Sequence, residues 1–267
     1  MKIFAALLLA QAFAQIVAPV RTCRLSRAVV YKHFEFRDFA NQPIKASILE
    51  IDLTDPKTYI RPIAQNGCKK VSAMGQDTGA IATVNGTYFD AQCRSVTMVK
   101  VDNVIKALNG RSRSVLGVDS ANALQIATVD KGADWPQVVH ALGGIPRLVT
   151  DGRIDVQDEG YGQNFAKGRH PRTAVGLIDD RHALIVTVDG RSNNSKGMTL
   201  EKLAEFMIGL GAKQAVNLDG GDSTAMWIDS RYRDPAGIVN SPSDGSENAV
   251  ATGLGVFSPT TFSASCH

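Results

Sequence analysis

Five short polar clusters interrupt the apolar runs of this chain. They are Asn85-Gly86-Thr87-Tyr88-Phe89-Asp90, Gly143-Gly144-Ile145-Pro146, His170-Pro171-Arg172-Thr173, Asp189-Gly190-Arg191, and a longer stretch from Asn217 to Ser223. The carboxylates Asp189 and Asp219 follow apolar runs, where such groups serve as general bases, charge stabilisers or metal ligands. Gly143, Gly144, Gly220 and Gly221 let backbone approach a ligand and would offer N–H groups to an anion. Arg172 carries a planar fork of donors matched to paired oxygens. His170 is a potential proton donor beside it, and Asn85 and Asn217 are short hydrogen-bonding amides. Taken singly, each cluster reads equally well as a turn, because Asp-Gly is a strong hairpin signal and Asn caps its own turns. Five of them in one chain fit a shared site better than five turns. Ser223 is a poor nucleophile, since no Gly-x-Ser-x-Gly elbow surrounds it. Zinc is disfavoured by the lack of a His pair at helical spacing and of a Cys-x-x-Cys pair.

The elements that must position these clusters are mostly strands. Alternating or continuous apolar runs predict them at residues 29–36, 44–53, 59–64, 80–84, 114–118, 123–129, 148–149, 173–178, 183–188, 214–218, 225–228 and 249–257. Two helices are expected. Residues 71–77 form a short one, and Thr199 to Leu210 form the better one, capped by Thr199, striped with Leu200, Leu203, Ala204, Phe206, Met207 and Leu210, and ended by Gly211. Residues 183–218 read as a β-α-β crossover that sets Asp189 and Asp219 at the ends of neighbouring strands, the edge where open sheets bind ligands. The fold class expected is α+β, a strand-rich mixed sheet with one β-α-β crossover and few helices.

Composition narrows the function. The chain has 267 residues, 44% hydrophobic and 21% charged, with a net charge of +3 spread along it. This is ordinary globular composition, and without a basic cluster interleaved with aromatics nucleic acid is not an expected partner. Met1-Lys2, an apolar run from Ile3 to Val17 and Ala12-Phe13-Ala14 read as a signal peptide over residues 1–14, leaving 15–267 as a single domain. The expected location is therefore secreted or periplasmic, with no stable membrane insertion after cleavage. Four cysteines suit an oxidising compartment and allow three pairings, of which Cys68–Cys93 and Cys23–Cys266 are expected.

Five motifs occur in order: "NGTYFD", "GGIPRLVTDGRI", "RHPRTAVGLID", "TVDGRS…GMTLEKLAEFMIGLGAKQAVNLDGGDST" and "IVNSPSDGSENAV". Together they resemble the phosphodiester glycosidase family, from about Ile44 to Val256. The resemblance implies hydrolysis of a sugar-1-phosphate diester of the N-acetylglucosamine-1-phosphodiester type, releasing free sugar and a phosphomonoester; relatives are loosely linked to exopolysaccharide. A glycosyl phosphate has a weakly basic leaving group, so strong general-acid help is dispensable. The site instead needs donors for the phosphate, a carboxylate to orient water or stabilise an oxocarbenium-like centre, and polar groups for sugar hydroxyls. Arg172 and His170 suit the phosphate, and Asp189 and Asp219 the base and stabiliser. Asn85, Gly143, Gly144, Arg191, Asn217, Gly220, Gly221, Ser223 and Thr224 make up the substrate-binding set. Tyr88, Trp135 and Trp227 are candidates to stack on a sugar, Trp227 reading rather as core.

The chain departs from the family pattern in two places. Asp222 stands where a third glycine is usual, and Asn248 follows Glu247 where an Arg is frequent. A carboxylate beside a phosphate either repels it or shares a cation with it. Asp222 is thus the candidate metal ligand; no cofactor is required by the other residues, and a divalent cation stays open. Two alternatives remain: a cation-dependent phosphodiesterase cutting P–O, with Asp219 and Asp222 as ligands, and a non-catalytic cell-wall or exopolysaccharide-binding module.

Overall fold

The computed structural model describes residues 18–232, 235–259 and 265–267; the expected signal segment, 1–14, lies outside the described residues. The first strands are β1 (Arg21–Arg24), β2 (Val29–Arg37), β3 (Pro43–Asp52) and β4 (Tyr59–Lys70). Helix α1 (Val71–Thr78) leads to β5 (Ala82–Asn85), β6 (Val99–Val101), β7 (Val104–Ala107), β8 (Arg113–Val118), β9 (Leu124–Val129), β10 (His140–Gly143), β11 (Arg147–Thr150) and β12 (Arg153–Ile154). The short helix α2 (Gln163–Lys167) precedes β13 (Arg172–Leu177) and β14 (His182–Val188). After α3 (Leu200–Gly209) come β15 (Gln214–Asn217), β16 (Met226–Ile228), β17 (Gly237–Ile238), β18 (Ala249–Phe257) and β19 (Ser265–Cys266). The result is the expected strand-rich α+β class, but its strands form three sheets paired antiparallel throughout the described residues rather than one mixed sheet.

The large sheet has the order β12-β11-β15-β13-β14-β3-β2-β1-β19; the smaller two run β7-β6-β10-β8-β9 and β17-β16-β5-β18-β4. One face of the large sheet lies under α3, where Leu200, Leu203, Ala204, Phe206 and Met207 meet Ile48, Ala174, Leu184 and Val186. Its other face packs Val175, Ile185 and Val216 against Val84, Met226 and Leu254 of one small sheet and Leu116 and Leu142 of the other. Strands covered on both faces read as continuous apolar runs, which is why β14 is buried along six of its seven residues. Each large apolar side chain so buried contributes roughly 1.5–3 kcal/mol relative to exposure. Helix α3 begins where Thr199 Oγ1 accepts from Lys202 N at 3.2 Å, and Gly211, at φ 98°, takes the left-handed turn that stops it. Trp227 is core, 3% exposed.

The crossover differs from expectation in one respect. Strands β14 and β15 are not neighbours: β13 lies between them and pairs antiparallel with both. The tight turn at residues 178–181 folds β13 back onto β14, and β3 takes the other edge of β14. The strand arriving from α3 therefore adds to the free edge of β13. Its consequence is functional, because the start of β13, Arg172, now sits between the ends that deliver Asp189 and Asp219. The two disulfides join the expected pairs, Cys23–Cys266 across β1 and β19 and Cys68–Cys93 between β4 and the segment after β5.

Candidate functional site

Asp219 follows β15 and is locked in place by its own backbone. Its N–H donates to Gly86 O at 3.0 Å, and its carbonyl accepts Asn85 Nδ2 at 2.6 Å, so the first and fifth clusters meet here. Oδ1 accepts from Gly220 N at 2.9 Å. Burial pushes the carboxyl up to about 6; hydrogen bonds from Ser223 and Gly220 oppose that rise and the Asp222 charge adds to it. A partly buried carboxyl with that value exchanges a proton near neutrality, as a general base or acid must.

Arg172 is 1% exposed. Its Nε donates to Met198 O at 3.0 Å, and its Nη2 donates to Phe165 O at 2.7 Å and Gly168 O at 3.1 Å. The guanidinium also lies 5.0 Å from the centre of the Phe165 ring. No carboxylate pairs with it among the described residues; carbonyls from the end of α2 supply the negative potential instead. Burial lowers its pKa to about 10, which leaves it charged at neutral pH. Nη1 is the guanidinium nitrogen left without a hydrogen bond among the described residues. Tyr88 connects this cation to the carboxylate: its phenol is raised by burial, raised further by Asp219 and lowered by Arg172. Its hydroxyl donates to Leu218 O at 2.8 Å.

The exposed rim is built by Arg191 and Asp222. Arg191 holds φ at 57°, a left-handed conformation uncommon for a long side chain. Its guanidinium lies over Gly221, where an added Cβ would come within 3.2 Å of Nη2. Arg191 pairs with Asp222, whose Oδ1 also accepts from Ser243 Oγ at 2.8 Å. The Ser243 hydrogen bond foremost, then Arg191, hold the Asp222 carboxyl below its usual range. His170 completes the rim, with Nδ1 at 3.4 Å from Arg191 Nη2 and Nε2 at 3.2 Å from Asn164 O. Arg only donates and a carbonyl only accepts, so these partners assign the proton to Nε2.

Several expected ligand contacts are taken up by the protein itself. The N–H groups of Gly143, Gly144 and Gly221 donate to Met98 O, Ser114 O and Pro171 O, and that of Gly220 to Asp219. These glycines are there for close packing: a Cβ on Gly144 would lie 2.3 Å from Asn217 O, and one on Gly220 2.8 Å from Pro171 O. Asn85 and Asn217 are fully buried; Asn85 Oδ1 accepts from Thr173 Oγ1, and Asn217 Nδ2 donates to Tyr88 OH, Ile145 O and Leu218 O. Both amides hold the Asp219 turn from behind. Thr224, 1% exposed, passes its carbonyl to Asn240 Nδ2. Both His170 nitrogens likewise have protein partners in this arrangement. Asp222 pairs with Arg191, and no group of three His, Cys, Asp or Glu side chains that could hold a metal ion occurs among the described residues.

Asp189 is the main rearrangement. Val188 packs toward α3, so the next side chain in the strand alternates to the opposite face. There Asp189 Oδ1 accepts Ser241 N at 2.9 Å and Asn240 Nδ2 at 3.2 Å, and burial raises its pKa while these bonds restrain the rise. Asn240, Ser241 and Ser243 were not among the sequence candidates; the "VNSPSDG" stretch that carries them was the available signal. A cleft of about 600 Å³ beside Cys93 is lined by Gln65, Asn66, Asp90 and Arg94 and by none of the site residues. The site is therefore identified by its side-chain chemistry rather than by the size of a hollow.

The phosphodiester glycosidase family model matches residues 78–257, about two thirds of the chain. The catalytic domain of zebrafish N-acetylglucosamine-1-phosphodiester alpha-N-acetylglucosaminidase, auto-inhibited by its pro-peptide, superposes with a TM-score of 0.75 at 17% identity, covering 93% of each chain. A hypothetical protein from Synechocystis gives 0.76 at 14% identity, over 91% of this chain and 64% of that one. The SPbeta prophage-derived uncharacterized protein YomE of Bacillus subtilis is 36% identical over 91 residues, which are 34% of this chain and only 13% of that protein. The structural likenesses, at such low identity, speak to the fold; the family match rests on the sequence of the segment that carries all five clusters. This chain belongs to the phosphodiester glycosidase family.

Proposed function

We propose that the protein is a secreted or periplasmic hydrolase that cuts the glycosidic bond of a sugar-1-phosphate diester. Residues 15–267 form its catalytic domain behind a cleaved segment at 1–14. The observation that carries this reading is the grouping of Asp219, raised to about 6, with the cations Arg172 and Arg191 in a chain of this family. Asp219 acts as the carboxylate that orients water or stabilises the developing positive charge at the anomeric carbon. Ser223 donates to it and keeps it directed. Arg191 meets the phosphate at the rim and Arg172 stabilises charge from beneath through Nη1. Asp189 is a positioning residue that fixes residues 240–241. Two disulfides, and the absence among the described residues of a helix long and apolar enough to cross a membrane, support the location.

The test is product analysis on a panel of defined sugar-1-phosphate diesters. Free reducing sugar plus a phosphomonoester is expected. Sugar 1-phosphate plus an alcohol would replace this reading with a phosphodiesterase, and binding without turnover would replace it with a glycan-binding module.

A further inference from the structure

The Arg191–Asp222 pair stands at the mouth of the site and is half-exposed on both sides. Ser243 fixes Asp222 from one side, and Asn248 Nδ2 reaches the Asp222 carbonyl at 3.3 Å, so the carboxylate is held rather than swinging free. Arg191 is held too, by its left-handed backbone, by His170 and by the bare surface of Gly221. A left-handed backbone at a non-glycine residue costs free energy, and an ordinary surface ion pair would not need it. The charged groups that face Asp222 are Arg191, Asp219 and Asp244, with His170 behind Arg191. One cation is thus shared among carboxylates, and Asp222 is the one in contact with it.

The proposed reaction changes the charge of what that cation would hold. Water oxygen bonds to the anomeric carbon, the bond from that carbon to the phosphate oxygen breaks, and the electron pair stays on the phosphate. One water proton remains on the sugar hydroxyl; the other passes through the carboxylate to the phosphate or to solvent. A singly charged diester becomes a monoester whose second ionisation lies near pH 6, so above that pH the product carries about two charges. Building on the hydrolase reading, we propose that Asp222 is a specificity-determining residue: through Arg191 it admits a singly charged phosphodiester and disfavours the doubly charged phosphomonoester. A neighbouring carboxylate weakens a bound anion by a factor that applies once for each ligand charge, roughly three- to tenfold per charge at the surface.

Dimethyl phosphate and methyl phosphate are the probes, titrated into the full chain and its Asp222→Asn variant and followed by NMR. At pH 8 the variant should bind dimethyl phosphate roughly three- to tenfold tighter than the wild type does. Its gain for methyl phosphate should be about the square of that factor. At pH 5, where both probes carry one charge, the two gains should be equal. Asp222→Gly should give the same pattern, which covers failure of the Asn variant to fold; Arg191→Gln should weaken both probes. Equal gains at pH 8, no gain, or no binding of either probe would overturn the proposal. If the charge pattern appears and no sugar-1-phosphate diester is cleaved, the charge selection stands and the hydrolase reading falls.

Discussion

Asp189 and Asp219 leave the same edge of one sheet, each followed by glycine, with a single strand between them. In sequence they are near equivalents. In the fold they face opposite layers. Asp219 lies on the side of Arg172 and Tyr88, partly open, with Gly220 and Ser223 as its donors. Asp189 is 4% exposed and spends one oxygen on Asn240 and Ser241. Burial raises both carboxyls, so burial alone does not distinguish the roles proposed for them. Their surroundings do: cations and an accessible rim on one side, a loop backbone on the other.

The comparison breaks most sharply on substitution by asparagine. Asp219→Asn should lower turnover by about 10²–10⁴-fold, measured on any diester that the wild type cleaves. Its stability should change in the opposite sense. The folded carboxyl binds its proton up to about pH 6 whereas the ordinary value is 3.8, so the wild type loses stability as pH rises through that window. The variant lacks this contribution, and its melting temperature should fall less steeply between about pH 4 and 6. Should Asp189→Asn cut turnover as deeply without changing stability, the assignment of roles would have to be reversed.

Asp189→Ala tests the supporting role. It leaves Ser241 N–H without its acceptor in a buried setting, at a cost of about 1–3 kcal/mol. Denaturant unfolding should show this loss, with turnover reduced less than in Asp219→Asn. The pH profile then sharpens the contrast. If Asp219 works as its carboxylate, activity should rise through about pH 6. Asp222→Asn should move that limb to lower pH, because the Asp222 charge adds to the rise at Asp219; Asp189→Asn should leave it in place. Tyr88→Phe is the mildest change. It removes the hydroxyl that donates to Leu218 O, costing about 1 kcal/mol in thermal or chemical unfolding.

Much of the scaffold is legible from local pattern. The helix at 200–209 follows from its Thr cap, its apolar stripe and its terminal glycine, and the long strands follow from apolar periodicity. Short elements were not visible: α2 has five residues and no buried side chain, so it leaves no periodic signal. The anchoring of α1 shows the same limit. Its Ser72 N–H donates to Glu247, 175 residues away, at 3.0 Å. Nothing in the local sequence reveals such a partner.

For the proposed site, Asp219, Arg172 and the glycine-rich turn stood out in sequence only as members of five clusters that together suited a shared site. Cysteine number pointed to two bridges and allowed three pairings; the favoured one is the one the structure holds. Sequence could not reveal direction. Whether a buried asparagine faces a ligand or the back of a turn depends on which strand lies beside it, and β13 entering between β14 and β15 decided that. The same insertion puts Pro171 O within reach of the Gly221 N–H, whereas Gly143 and Gly144 find their acceptors, Met98 O and Ser114 O, in and beside the β6-β10-β8 strands. Side-chain alternation is local, but the layer each face meets is fixed by long-range pairing, and only the tertiary structure carries it.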